Sequence, residues 1–262
     1  GQNFLLDRNI TDKIARHAAS LIDNFPAATV FEIGPGPGGL TRSLLKEGAK
    51  KVIAVEYDPR AVGALQDLQT RADGRLEVVH ADALETDLST LSGTTAPRMI
   101  VANLPYNIAT PLLTGWLAQI HQNTESYDAM VLMFQREVAD RITATPGTKA
   151  YGRLSVISQW LCRTKRLFDL PPGAFTPPPK VTSSVVSFMP HKKEETDNRP
   201  PFNVMEKLTA AAFGQRRKML RRSLKNDIAL LEKAGIDPAL RAENLSVSDY
   251  VTLAQMISAQ QA

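Results

Sequence analysis

Short apolar runs alternate with amphipathic segments through most of the first 170 residues. The runs at 29–33, 51–56, 76–80, 99–103, 129–134 and 163–170 are rich in Val and Ile and of strand length. Their continuous apolar character suits strands covered on both faces. Apolar positions at helical spacing predict helices over 39–48, 60–72, 111–123, 136–144 and 152–161. Strands alternating with helices predict βαβ units and a parallel sheet. A seventh strand is expected over 181–189, after the stiff Pro171-Pro172-Gly173 and Pro177-Pro178-Pro179 loop. That loop has no room for a crossover helix, so strands six and seven should pair antiparallel. Ahead of strand one, Ile10, Ile14, Ala18 and Leu21 share one face of a helix over 7–22. This helix is expected to lie over the ligand edge of the sheet.

The pattern changes after residue 190. Residues 191–203 are charged, contain Pro and lack an apolar period, which reads as a linker. Beyond it the periodicity is helical throughout, over 203–213, 217–227, 228–234, 238–243 and 247–259, punctuated by Gly235 and Pro238. The expected fold is therefore α/β and Rossmann-like: a seven-stranded, mostly parallel sheet with an antiparallel last strand, plus a small C-terminal all-α domain. The expected boundaries are 1–190 for the core domain, 191–203 for the linker and 204–262 for the helical domain. A helical domain of that size is too small to rely on its own core and is expected to dock on the first.

Composition narrows the class. The chain has 262 residues, 43% of them apolar, and no apolar run long enough to span a bilayer. A single cysteine, Cys162, precludes an internal disulfide and fits a reducing, cytoplasmic setting. His17, His80, His121 and His191 are too scattered for a metal site, so no metal is expected. The net charge is +4, and from Pro190 onward there are 12 Lys/Arg against 9 Asp/Glu, so most of the surplus lies near the C-terminus. Arg216, Arg217, Lys218, Arg221, Arg222 and Lys225 contain no acid among them and read as a surface for RNA phosphates. On a helix over 217–227, Lys218, Arg221, Arg222 and Lys225 would share a face. Arg136, Arg141 and Arg153 would extend that surface.

The chemistry concentrates at strand ends. Gly34, Gly36 and Gly38 follow strand one and open a helix, and Gly34, Gly36 and Gly39 also satisfy G-x-G-x-x-G. This turn suits a nucleoside-type cofactor without separating a dinucleotide from S-adenosylmethionine. Glu56 closes strand two, where a carboxylate can accept both ribose hydroxyls. Asp82 follows strand three and can accept from an adenine amine. Asn103, Leu104, Pro105 and Tyr106 follow strand four. The lone pair of an aromatic amine is shared with its ring, which makes it a poor nucleophile. The Asn103 oxygen can accept one N–H of such an amine and the carbonyl of Leu104 or Pro105 the other, drawing the nitrogen toward a pyramidal geometry. Tyr106 can stack on the base and Phe175 can cover its other face.

These motifs resemble the small-subunit ribosomal RNA adenine dimethyltransferase (KsgA/RsmA) family, which is related to the macrolide-resistance Erm methylases. The likeness is carried by Gln2-Asn3-Phe4-Leu5, residues 32–38, residues 103–106, residues 174–186 and Ala212-Phe213-Gly214-Gln215-Arg216-Arg217-Lys218. It implies a class I methyltransferase domain over 1–190 and an RNA- or ribosome-binding domain over 204–262. The implied cofactor is S-adenosylmethionine, contacted by Asn3, Leu5, Gly34, Gly36, Glu56, Asp82 and Asn103. The implied reaction is N6,N6-dimethylation of two adjacent adenosines in the 3′-terminal hairpin loop of small-subunit 16S rRNA, on an assembling 30S particle. A cytoplasmic monomer free of membrane is expected. Leu104 and the Ala-Thr-Pro after Ile108 favour this branch over an Erm-type enzyme acting on large-subunit rRNA. An RNA-binding assembly or transcription factor is a further alternative, and the intact Glu56 and residues 103–106 argue against a complete loss of catalysis. A nicotinamide oxidoreductase ranks lowest, because no proton-relay residue is identifiable.

Overall fold

The computed structural model describes residues 3–92, 97–192 and 198–261. Gln2 and residues 193–197 of the expected linker lie outside them. The chain runs β1 (Phe4–Leu5), α1 (Arg8–Ala19), β2 (Thr29–Ile33), α2 (Gly39–Lys46), β3 (Lys51–Glu56), α3 (Pro59–Arg71), β4 (Leu76–His80), α4 (Leu88–Ser92), β5 (Arg98–Asn103), α5 (Tyr106–Gln122), β6 (Ala129–Gln135) and α6 (Arg136–Ile142). It continues with α7 (Arg153–Leu161), β7 (Cys162–Leu170), β8 (Phe175–Thr176), β9 (Ser183–Pro190), α8 (Phe202–Gly214), α9 (Leu220–Ser223), α10 (Ile228–Lys233) and α11 (Val247–Gln261).

The described chain divides into two compact units, 1–139 with 165–190, and 140–164 with 191–262. The first holds most of a seven-stranded sheet ordered β4-β3-β2-β5-β6-β9-β7. The β4–β3, β3–β2, β2–β5 and β5–β6 pairs are parallel, and β9 is antiparallel to β6. Along the β9–β7 pair, Ser187 Oγ donates to the Lys165 carbonyl and Ser184 Oγ to Asp169 Oδ1, so the two strands run in opposite directions. All five residues of β2 are buried, as are the last five of β3, as expected for strands covered on both faces.

Helix α1 packs on α2 and meets the glycine turn at its own first turn, where a Cβ on Gly39 would sit 3.8 Å from Thr11 Cγ2. Ile14, Ala15 and Ala18 join the core with Leu40 and Leu44 of α2. Polar contacts fasten the two helices: Ser43 Oγ bonds Thr11 and Asp12, and Lys46 Nζ sits 2.6 Å from Asp12. The ligand edge is also reached by β1, whose two residues pair antiparallel with β8.

The second unit is larger than the sequence pattern implies, because residues 140–164 belong to it. Helices α7, α8 and α11 pack together. The Phe213 ring lies 6.1 Å from Tyr151 and 5.7 Å from Tyr250, and Trp160 stacks on Phe202 at 5.9 Å. Tyr151 and Tyr250 are fully buried, so the added segment gives this unit an aromatic core of its own. The described ends of the linker pack too: His191 N donates to the Leu161 carbonyl, and Pro200 is buried.

Two predicted helices are replaced by tighter structure. Only Leu220–Ser223 is α-helical within 217–227, and 238–243 carries no α-helix, with a 3₁₀ turn at Ala242–Asn244. The Leu220 and Arg221 amides donate to the carbonyls of Leu240 and Pro238, and Met219 bridges Arg241. These cross-links take the amides that a longer helix would use. No helix among the described residues is long and apolar enough to cross a membrane.

Candidate active site

The strand order places the chemistry. From β2 the chain winds outward through β3 to β4, then returns to β5 on the other side of β2. The reversal opens a crevice beyond the carboxyl ends of β2 and β5, where ligands bind in open α/β sheets. Asp82, Glu56, Gly34 and Asn103 end or follow β4, β3, β2 and β5, four neighbours in the sheet. A cavity of about 20 Å³ sits at the switch point, lined by Asn3, Phe4, Gly34, Asn103, Leu104, Pro105 and Tyr106.

Asn103 is half-buried, and its Nδ2 donates to the Asn3 carbonyl at 2.9 Å. A carbonyl can only accept, so the bond assigns the amide nitrogen to that side and leaves Oδ1 as an acceptor that no described residue engages. The Pro105 carbonyl already accepts from Ile108 and Ala109 in the first turn of α5. The Leu104 carbonyl accepts from none of the described residues, which makes it the less engaged of the two carbonyls that the sequence offers. Helix α5 starts at Tyr106, five residues before the predicted start, and carries Pro111 in its interior. Tyr106 is thereby fixed at a helix start, and its hydroxyl lies 2.5 Å from the Oγ of fully buried Ser183 at the head of β9. This tether restricts the ring.

The glycine turn is packed from above. Gly36 has φ +54°, and a Cβ there would sit 2.6 Å from the Phe4 ring. A Cβ on Gly39 would sit 2.8 Å from the Leu5 carbonyl. The close approach that glycine permits at these two positions is therefore made by β1. Gly36→Ala should combine left-handed strain with overpacking and destabilise the protein by about 2–4 kcal/mol. The check is a thermal melt, and an unchanged melting temperature contradicts the packing. Gly34 is freer: its Cβ would lie 3.9 Å from Pro105 Cδ, across the crevice.

Glu56 is buried at 2% exposure. Its Oε1 accepts from the amides of Tyr57 and Asp58, each at 2.9 Å, and Oε2 accepts from Gly36 at 3.1 Å. A carboxylate has about four lone-pair sites, so one remains on Oε2 with the loop amide in place. Asp82 is half-buried and spends Oδ1 on the Leu84 amide at 2.9 Å. Glu32, two residues before Gly34, is buried with Oε2 unpartnered among the described residues, and burial pushes its pKa up to about 8. The neighbouring Glu56 pushes the same way, and nearby Thr41 offsets part of the cost.

Other candidate residues fall elsewhere. Phe175 is 3% exposed and packs in the core beside Leu5, Ile14 and Ala18, so it does not cover the cavity. Its backbone pairs with Leu5, which turns both side chains inward. Phe4 is the aromatic that lines the cavity together with Tyr106. Among the basic residues, Arg216 is not uncompensated: Nε lies 2.8 Å from Glu243 and Nη2 donates to the Thr148 carbonyl. Arg217, Lys218, Arg221, Arg222 and Lys225 are exposed, though without the shared helical face. Arg153 pairs with Glu206 at 3.2 Å. Sequence reasoning missed three residues. Tyr57 is 71% exposed beside Glu56, Ser183 holds Tyr106, and Phe4 walls the cavity. The signal for Tyr57 is an aromatic directly after a strand-ending acid. Among the described residues, no group of His, Cys, Asp and Glu is placed to hold a metal ion.

Comparisons with known proteins agree in kind. A family model described as ribosomal RNA adenine dimethylase matches residues 1–259. The chain is 54% identical over 262 residues to ribosomal RNA small subunit methyltransferase A of Rhodopseudomonas palustris (strain BisA53), covering 98% of this chain and 88% of that protein. The structure is similar to a dimethyladenosine transferase from Plasmodium falciparum, with TM-score 0.79, 26% identity and 95% of each chain covered. It shares its fold with the 23S rRNA methyltransferase ErmE, at TM-score 0.70 and 24% identity, over 96% of this chain and 98% of the other.

Proposed function

The chain belongs to the ribosomal RNA adenine dimethylase family, and from that premise we propose that it transfers methyl groups from S-adenosylmethionine to N6 of two adjacent adenosines in the 3′-terminal hairpin loop of 16S rRNA. The observation that carries this reading is the pair of acceptors at the switch point, Asn103 Oδ1 and the Leu104 carbonyl, beside the tethered ring of Tyr106. An assembling 30S particle as substrate, a monomeric state and a cytoplasmic location complete the proposal.

The residues present fit the cofactor. Gly34 offers an open, glycine-only face at the crevice, Glu56 keeps a lone pair for a ribose hydroxyl, and exposed Tyr57 and Leu84 flank Glu56 and Asp82 with apolar surface. When bound, S-adenosylmethionine supplies a methyl group on a sulfonium, an electrophile reactive enough that no strong base is required. The chain's own part is orientation. Asn103 Oδ1 and the Leu104 carbonyl accept the two N6–H bonds, which localises the lone pair on nitrogen and directs it into the crevice. Asn3 keeps the Asn103 amide from rotating. Tyr106 stacks on the extruded base, Ser183 sets the tilt of that ring, and Phe4, rather than Phe175, covers the other face.

The direct test is nucleoside analysis of small-subunit rRNA after incubating unmodified 30S and 50S particles with labelled cofactor. Dimethyladenosine in the 30S sample alone is expected; label confined to 50S overturns the proposal. The exposed cations provide a second test. Reversing charge with Arg221→Glu and Arg222→Glu should weaken RNA binding and reduce the slope of log K against log salt by about 1.5 for two phosphate contacts. An unchanged slope removes these residues from the RNA surface.

A further inference from the structure

A second group of basic residues lies on the sheet-bearing unit, away from the cations of the helical unit. Lys13, Arg16 and His17 stand three and four positions apart on α1, and Lys165 joins them from β7. They meet around Phe168 of β7: Lys13 Nζ sits 3.9 Å from the centre of its ring, and the His17 ring lies 5.3 Å away. Lys13, Arg16 and Lys165 are exposed, and His17 and Phe168 are half-buried. Among the described residues no carboxylate pairs with Lys13, Arg16 or Lys165. The nearby acids are engaged elsewhere. Asp12 holds Lys46 and Ser43, and Asp169 accepts from Ser184 with Arg136 and Arg166 at 3.9 and 3.8 Å. Like charges at this helical spacing repel, so the cluster costs stability while nothing neutralises it. His17 registers that field: burial first, then Lys13, Arg16 and Lys165, hold its pKa below the usual imidazole range. Lysine on an edge strand guards against stray pairing, and β7 is an edge strand. That accounts for Lys165 and leaves Lys13 and Arg16 unexplained.

The place of the cluster narrows its partner. Strand β7 runs against β9, and β9 against β6, so the carboxyl end of β7 lies at the same sheet edge as Asn103. There Asp169 accepts from Ser184, the neighbour of the Ser183 that holds Tyr106, and Phe168 is the next residue back along the strand. On α1, Thr11 meets the glycine turn, and Lys13 to His17 follow within about 9 Å at the helical rise. The basic side chains thus start beside the crevice and lead away from it. Cations interleaved with an aromatic ring at the exit of a base-binding crevice suit the phosphates of a nucleic-acid strand. A lipid surface would call for exposed apolar anchors, whereas the ring here is half-buried beneath Lys13.

We propose that this face binds the rRNA strand flanking the extruded adenosine, with Lys13, Arg16, His17 and Lys165 contacting its phosphates. The proposal rests on the methyl-transfer reading and adds to it a substrate surface on the catalytic unit itself.

Binding of unmodified 30S particles over a range of salt concentrations tests it. Combining Lys13→Gln, Arg16→Gln and Lys165→Gln should weaken binding by about tenfold or more and lower the slope of log K against log salt by about 2, for three single-strand phosphate contacts. Lys50→Gln with Arg71→Gln removes two exposed cations elsewhere on the same unit and should leave the slope unchanged. The triple variant should raise KM for the particle while kcat holds, and its melting temperature should not fall, because it relieves repulsion. His17 supplies a readout in the unaltered protein. Its pKa, followed by NMR, should rise when a single-stranded RNA hexamer binds, because phosphate stabilises the imidazolium. A slope unchanged in the triple variant, a slope lowered equally in the control, or a His17 titration unmoved by bound hexamer overturns the proposal. Phosphatidylglycerol vesicles bound by the wild type and lost by the triple variant, with 30S binding intact, would assign the face to a membrane and also overturn it. Labelling of 30S particles by the wild type together with an unchanged slope sinks this surface alone; no 30S labelling sinks the reading beneath it, whatever the slopes.

Discussion

Asn103→Ala should slow methyl transfer by about 10²–10³-fold, the usual cost of removing one electrostatic partner of a reacting group, while RNA affinity changes little. The side chain contributes a single acceptor aimed by one bond, Nδ2 to the Asn3 carbonyl at 2.9 Å. Alanine removes the acceptor and leaves the Leu104 carbonyl with only one of the two N6–H bonds, so the lone pair stays largely in the ring. Asn103→Asp separates aim from acceptance. It keeps an acceptor oxygen but sets a second oxygen against the Asn3 carbonyl, so the side chain turns away and activity should also fall. Single-turnover methylation and equilibrium RNA binding, measured on the same variants, distinguish the two contributions. Full activity in Asn103→Ala would show that the amide does not hold the substrate amine, and the Leu104 carbonyl alone would then have to account for catalysis.

Local pattern was a good guide where the structure is local. The parallel strands lie within a residue or two of their apolar runs, because burial on both faces forces continuous Val and Ile. Gly34, Glu56, Asp82 and Asn103 were legible as a group because strand ends are legible, and the strand order then sets them side by side. What the sequence hid depends on distant partners. Phe175 looks like an exposed loop aromatic until Leu5 pairs with it across 170 positions, which turns its ring into the core. Arg216 looks unpaired until Glu243, 27 residues away, meets it. The 217–227 helix fails for the same reason, since segment 238–241 claims its amides. The segment 140–164 reads as part of the α/β alternation, yet Tyr151 and Trp160 complete the aromatic core of the helical unit. No periodicity carries that information.

Glu32 should make the protein lose stability as pH rises, and Glu32→Gln should remove that dependence. The residue completes a buried run on β2, with one carboxylate oxygen unpartnered and Glu56 close by, and the pKa rises from 4.5 to about 8, chiefly through burial. A raised pKa in the folded state means that the folded protein keeps a proton which the unfolded chain releases. The stabilisation is complete below about 4.5, declines through the interval, and is lost once pH passes about 8. Each pH unit within that window costs about 1.4 kcal/mol, so the whole interval amounts to about 3–5 kcal/mol. Glutamine keeps the shape and cannot ionise. Its extra N–H bonds impose a constant offset, so slopes rather than absolute stabilities carry the comparison. Denaturant unfolding of both proteins between pH 5 and 8.5 should show the wild-type free energy falling relative to the variant. Parallel curves would mean that water or a local rearrangement solvates the carboxylate, and that the end of β2 beneath the glycine turn is not the dry, closed layer that holds Gly34 against Asn103.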